Sequence, residues 1–284
     1  MNNLSSNSND VVSLKNTIND NVLTIKTVQI SPIRILLTAL KDITHEPNIT
    51  FQADGMRIIS MDKSHTIIVH LHLQAQNFEF YECKKEKIVI CANMVHLFKL
   101  ITSIDNNDIL TIYIENSDYV GGFVSNLSLN FANNAITQSK TLKLKLLEPD
   151  SDELEYPDIK FSTVLNLPST DFQKIIRDSY ALSDKIEIKS VGNEILFNCS
   201  GQFATSEIYR AETSGSMEFI TKQDATKIIQ GEFSLKNLSH FIKCTNLCSQ
   251  IELYLENDKP IIVKYNVASL GEIKLCLAGL PSSQ

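Results

Sequence analysis

An acid, a hydroxyl and an imidazole, Asp62, Ser64 and His65, stand together in the stretch DGMRIISMDKSHTIIVHLHL, residues 54–73. These are the parts of a nucleophile activated by a base. A triad, however, is assembled from separate segments that the fold brings together, and residues on one bend seldom reach each other in that geometry. Here the residues interrupt two alternating apolar runs. They are read as a bend between two strands, with His65 in a structural or docking role. Cys244 and Cys248, spaced i, i+4, are the residues with a metal-like spacing, but no His or Cys pair elsewhere shows zinc-ligand spacing. No phosphate-binding loop, nucleophile elbow or pair of metal carboxylates is found. The expectation is a protein that is not an enzyme, with no catalytic residue, no metal and no cofactor.

The elements that hold this bend are mostly short alternating strands. Asp54-Gly55 makes a tight turn before it. Upstream, VLTIKTVQI is a strand and SPIRILLTALKDI a helix, with Ser31 as its expected N-cap and Pro32 at its first helical position. Strands follow to residue 91, then a helix capped by Asn93, then strands to about residue 146, among them YVGGFVSN. Residues 148–158, EPDSDELEYPD, are acidic, hold two prolines and lack periodicity, as a linker does. After them the plan repeats, with helices capped by Ser169 and Ser234. Each half holds about nine strands and two helices in the same order, an internal duplication of pattern. The division expected is a tail over 1–22, a first domain over 23–146, a linker over 147–160 and a second domain over 161–281. The tail is rich in Asn and Ser, with neither the basic start nor the apolar core of a signal peptide, and is expected to be disordered. No apolar run approaches the length of a membrane span. The six cysteines are scattered and read as buried reduced thiols.

The net charge is −7, which taken alone argues against nucleic acid. Its distribution argues otherwise. Each helix buries one apolar stripe, such as Ile33, Leu36, Leu37 and Leu40, and turns a cationic face outward. The outward residues are Arg34 and Lys41, then Lys99, then Lys174 and Arg177, then Lys236 and Lys243. Four helices side by side would make one basic surface on an acidic protein. Such a surface touches phosphates without reading bases.

The pieces LLTALKDI, GMRIISMDKSHTIIV, FEFYEC, ELEYPD, LPSTDFQKIIRDS and KPIIVKYNVASLGEIKLCLAG, in this order and spacing, resemble the proliferating cell nuclear antigen family of DNA sliding clamps. The resemblance covers about residues 23–280. It implies an α+β clamp fold of two similar domains, each with two helices packed on antiparallel sheets, closing into a ring of three subunits around duplex DNA. It also implies DNA polymerase and other replication and repair proteins as clients, an ATP-driven loader, and a place in the nucleus, or in a cytoplasmic factory for a viral protein. DNA would be faced by Lys26, Arg34, Lys41, Lys99, Lys174, Arg177, Lys236 and Lys243. Thr102 departs from the basic residue common there.

By the same resemblance, client motifs of the Gln-x-x-aliphatic-x-x-aromatic-aromatic kind enter a pocket made by Met61, His65, Ile68, Leu154, Tyr156, Pro157, Phe161, Pro260, Ala278 and Gly279. Tyr156 and Gly279 depart from the usual aliphatic and proline. The strand at 141–146 would pair with the strand at 206–211 of the next subunit, burying Leu142, Leu144, Ile175 and Ile208 between them. The alternatives are a subunit of a heteromeric checkpoint clamp and a viral processivity factor acting as monomer or dimer.

Overall fold

A computed structural model describes residues 20–103, 105, 108–133, 138–150, 154, 159–222 and 226–281. The first half comprises β1 (Asn21–Thr27), α1 (Ile30–Ile43), β2 (Asn48–Gln52), β3 (Gly55–Met61), β4 (Ile67–Gln74), β5 (Phe80–Cys83), β6 (Ile88–Cys91), α2 (Met94–Thr102), β7 (Ile109–Glu115), β8 (Tyr119–Val120), β9 (Phe123–Val124), β10 (Asn126–Asn133) and β11 (Gln138–Lys145). The second comprises β12 (Thr163–Pro168), α3 (Ser169–Tyr180), β13 (Lys185–Val191), β14 (Glu194–Ser200), β15 (Thr205–Ala211), β16 (Glu218–Thr221), β17 (Ile228–Ser234), α4 (Leu235–Phe241) with a 3₁₀ segment (Ile242–Leu247), β18 (Gln250–Leu255), β19 (Ile261–Val267) and β20 (Gly271–Leu277). This is an α+β architecture in which every described strand pairing is antiparallel.

The duplication is visible strand by strand. In the first half, β11-β10-β7-β1-β5 form one sheet, and β4-β3-β2-β6 lie in another. The corresponding strands of the second half are β20-β19-β18-β12-β16 and β15-β14-β13-β17. The second half's five-stranded set and the first half's four-stranded set are joined edge to edge through β20 and β4, giving one nine-stranded sheet across both halves. Among the described residues, β8 and β9 have no counterpart in the second half. YVGGFVSN is not the single strand expected, because Gly121 (φ +61°) and Gly122 (φ +92°) turn it into a small hairpin.

The helices lie in a row, α2 against α1, α1 against α4 and its 3₁₀ extension, and α4 against α3. Their apolar stripes cover the sheets. Ile33, Leu36, Leu37 and Leu40 of α1 are buried, as are Phe172, Ile175 and Ile176 of α3. Full burial of one such side chain contributes about 1.5–3 kcal/mol. The caps at Asn93 and Ser234 form, each side-chain oxygen accepting the N–H three residues on. The expected cap at Ser31 does not. Thr27 Oγ1 already takes the Gln29 N–H at 2.9 Å, and α1 starts earlier, at Ile30. Pro32 then sits in the first turn, where its missing N–H has no intrahelical partner to lose. Ser169 is likewise inside α3 rather than at its cap. Its hydroxyl donates to the Cys248 carbonyl at 2.6 Å and ties the helix start to the approach to β18.

β1 begins at Asn21, inside the stretch expected to be tail, and buries Asn21 and Val22; residues 1–19 lie outside the described ones. All six cysteines are free, with Cys91, Cys199, Cys244 and Cys276 buried and Cys83 and Cys248 partly so.

The β4–β20 junction is close. A Cβ added at Gly271 would stand 2.1 Å from the His72 carbonyl oxygen. Gly271→Ala is therefore expected to lower stability by about 1–3 kcal/mol through overpacking of backbone against backbone. Chemical denaturation would check this, and an unchanged midpoint would show that the junction yields freely.

Candidate docking groove and cationic helix row

The bend between β3 and β4 is built around one carboxylate. Asp62 accepts the N–H groups of Ser64 at 3.2 Å, Thr66 at 2.8 Å and Ile67 at 2.6 Å, together with the Ser64 hydroxyl. Burial pushes the carboxyl's pKa up, but these hydrogen bonds outweigh it and hold it below the usual carboxylate range. Asp62 does not touch the imidazole of His65. That ring lies with Nδ1 3.0 Å from Met61 Sδ, on a residue in the left-handed region at φ +56°. The acid shapes the turn and the turn presents His65, so the geometry of a triad is not present.

Beside the bend lies an open groove of about 880 Å³. His65, Ile68, Pro260, Ala278 and Gly279 line it, five of the residues expected there. The β4–β20 ladder gathers all but Pro260, with Ile68 facing Cys276 and the Ala278 N–H donating to the Thr66 carbonyl at 2.9 Å, and Pro260 comes from the β18–β19 turn. The opposite wall comes from β13 and β17, with Glu187, Gln230 and Glu232, and from the β18–β19 turn, with Asn257 and Asp258. Leu280 completes the rim, tied by its N–H to the Glu232 carbonyl at 2.7 Å. The groove is thus apolar on one side and carboxylate-bearing on the other.

Met61 and Phe161 are not in the groove lining but continue it. Cross-strand partners share a face, and the register places Met61, Ile68, Cys276, Ile262, Tyr254 and Val164 in one apolar row across the sheet. Phe161 packs edge-on against Tyr254, ring centroids 5.6 Å apart, at the far end of the row. The neighbouring row is polar, with Lys264 between Glu252 at 3.0 Å and Glu272 at 3.2 Å. The outward alternation in IIVKYNV marks Ile262 beside Lys264, a signal by which this row is readable. Leu154 is exposed at 40% and is not among the groove's lining residues; Tyr156 and Pro157 lie outside the described residues. The linker's first residues run past β2, with Asn48 and Asp150 joined by two hydrogen bonds of 2.8 and 3.1 Å.

On the helix side, Lys99, Lys174, Arg177, Lys236 and Lys243 are exposed and Arg34 and Lys41 half-buried, along the row α2, α1, α4, α3. Lys26 does not belong with them. Strand alternation turns Ile25 under α1, and Lys26 to the face away from the helices. Lys243 lies on the 3₁₀ segment after α4.

The two sheet edges expected to pair between subunits, β11 and β15, are edges here. Leu142 and Ile208 on them are half-buried. Leu144 and Ile175 are already buried in the chain's own core, at 6% and 4% exposure, so neither has apolar surface left to give to an interface.

The sequence matches two family models, that of the proliferating cell nuclear antigen N-terminal domain over residues 22–153 and that of its C-terminal domain over residues 155–280. It is also 34% identical over 269 residues, covering 93% of this chain and 99% of the other, to a probable DNA polymerase sliding clamp of Paramecium bursaria Chlorella virus 1.

The bend yields a prediction with a definite sign. A carboxyl held below its unfolded value stabilises the fold above that value, about 3.9, and the contribution fades as pH falls through the depressed folded value. Asp62→Asn is expected to be less stable than the parent at neutral pH, with the gap closing in acid. Melting temperatures of both proteins across pH would measure it. A gap that stayed constant into acid would mean the charge is not what the turn uses.

Proposed function

The chain belongs to the proliferating cell nuclear antigen family, and from that membership we propose a non-enzymatic sliding clamp. It encircles duplex DNA without reading sequence and tethers DNA polymerase and other replication proteins as a processivity factor. Three copies form the ring, the helix row faces the DNA, and an ATP-driven loader opens it. The DNA-facing residues are Arg34, Lys41, Lys99, Lys174, Arg177, Lys236 and Lys243.

The observation that carries the ring is the pair of sheet edges. Within the chain, β20 pairs with β4. Their duplicates in the other halves are β11 and β15, and each of these stands at the edge of its sheet, as β5, β6, β16 and β17 also do. A second copy that offers its β15 to β11 repeats between chains the join already made within one. Such a head-to-tail contact closes into a ring and removes exposed edges. A ring with all three such joins alike favours identical subunits over a heteromeric assembly.

Clients dock in the groove between His65, Ile68, Pro260, Ala278 and Gly279, with Met61 flanking Ile68 at one end of the apolar row and Phe161 beside Tyr254 at the other. A peptide that folds one short turn buries its aliphatic and aromatic anchors there, and a few such anchors carry most of the affinity.

Light scattering at several concentrations is expected to give three times the mass of one chain. A stable monomer would sink the closed homotrimer. Ile68→Asp is expected to weaken a labelled peptide of the Gln-x-x-aliphatic-x-x-aromatic-aromatic kind by about tenfold or more, or about 1.4 kcal/mol, while the assembly's mass stays the same. Parent-like peptide affinity in that variant would remove the groove from the client site.

A further inference from the structure

The cationic row has an acid built into it. Asp42, at the C-terminal end of α1, sets one carboxylate oxygen 2.9 Å from Lys41 Nζ and the other 2.6 Å from Lys243 Nζ. Lys41 and Asp42 come from the first half and Lys243 from the second, so one carboxylate spans the line where α1 meets the segment after α4. Lys41 also lies over the Phe98 ring at 5.2 Å. Lys236 and the His240 imidazole share this neighbourhood and add no further acid to it.

An acid is poorly placed here by two general rules. The C-terminal end of a helix carries partial negative charge, which disfavours a carboxylate. A surface that meets phosphates also gains nothing from a negative group of its own. Nor does Asp42 cap the helix, because the Thr44 N–H at that end goes to the Leu40 carbonyl at 2.8 Å. Its side-chain hydrogen bonds are those to the two ammonium groups. Although burial pushes its carboxyl up, the two lysines hold it below the usual range, so it stays charged at neutral pH.

We propose that Asp42 is a brake on DNA contact, an internal counterion that competes with phosphate oxygens for Lys41 and Lys243. The inference rests on the reading that the helix row faces DNA. Lysines that bind phosphate normally release condensed counterions, and this release drives affinity and its salt dependence. A lysine already paired to a carboxylate of the protein must give up that partner to engage a phosphate, and the carboxylate stays nearby to take it back. Contacts at this point of the row are thereby kept weak and quickly exchanged, which suits a ring that moves along its track.

The test is binding of the full-length protein to a short fluorescent duplex of mixed sequence, followed by anisotropy across salt concentrations. Asp42→Asn is expected to bind several-fold more tightly at low salt. Its plot of log affinity against log salt should steepen by up to about 0.9 for each lysine released to a phosphate. The effect should vanish in a Lys41→Met, Lys243→Met background, and Asp42→Glu should behave as the parent. Asp42→Ser serves as a second uncharged variant should the amide fail to fold, with melting temperature as the check. Unchanged affinity in Asp42→Asn, or the same tightening in both backgrounds, would overturn the proposal. Lys174→Ala with Arg177→Ala separates the two readings. If that pair weakens binding while Asp42→Asn changes nothing, the brake fails and the DNA-facing row stands. If neither changes binding, the row itself does not face DNA.

Discussion

The ladder between β4 and β20 is the constraint from which most of this structure follows. Seven residue pairs, from Gly271 with Leu73 to Leu277 with Ile67, join a strand of the first half to a strand of the second. Without that ladder each half would end in an exposed row of unpaired N–H and C=O groups, which proteins avoid or cover. With it, one sheet from each duplicated unit joins into a nine-stranded sheet, and the helices lie in a single row. The fit is tight because glycine stands where the two backbones approach. The same ladder brings Ile68 to Cys276 and Thr66 to Ala278, so the groove is made by the join rather than beside it.

Two chemically distinct surfaces therefore lie on opposite faces of the same architecture. One face carries the helix row, whose stripes bury leucine, isoleucine and phenylalanine and leave cations outward. The other carries the apolar row from Met61 to Phe161, bordered by the Glu252, Lys264, Glu272 and Lys274 charges. Strand alternation alone separates them. A residue such as Lys26, one position from Ile25, goes to the wrong side for the helices for that reason only. The bend at Asp62 belongs to this second face. Its carboxylate is taken up by the turn's own N–H groups and the Ser64 hydroxyl, and it makes no contact with the His65 imidazole.

Local rules made much of this legible in the sequence. Period-2 alternation marked the strands, the i, i+3, i+4, i+7 stripes marked the helices, and the repeated order marked the duplication. Asn93 and Ser234 form their caps with the side-chain oxygen, and the Asn93 amide nitrogen donates separately to Glu46. Ser31 and Ser169 formed no cap, because Thr27 in one case and the Cys248 carbonyl in the other had already set the helix start. Those competitors depend on tertiary or neighbouring geometry that a cap motif does not encode. The groove shows the same division. The residues from β4, the β18–β19 turn and the chain's last segment were readable through resemblance. The Glu187 and Glu232 wall was not, since it comes from strands whose approach only the assembled sheets determine. Leu144 and Ile175 are interface residues by resemblance alone, and within the chain both are buried in the core.

The span of the central join has a consequence for how the molecule comes into being. Asn77 Nδ2, just after β4, reaches the Leu270 carbonyl just before β20, a separation of 193 residues. Contacts so distant in sequence carry a large loop-closure cost and form late. A chain emerging from the ribosome builds β4 early and holds its edge open until β20, the last strand in order, arrives. For that interval the edge presents the backbone N–H and C=O groups that the finished sheet pairs with β20. Synthesis thus passes through a stage whose hazard is mispairing between nascent neighbours. The strand that completes the fold is also the one that ends the danger.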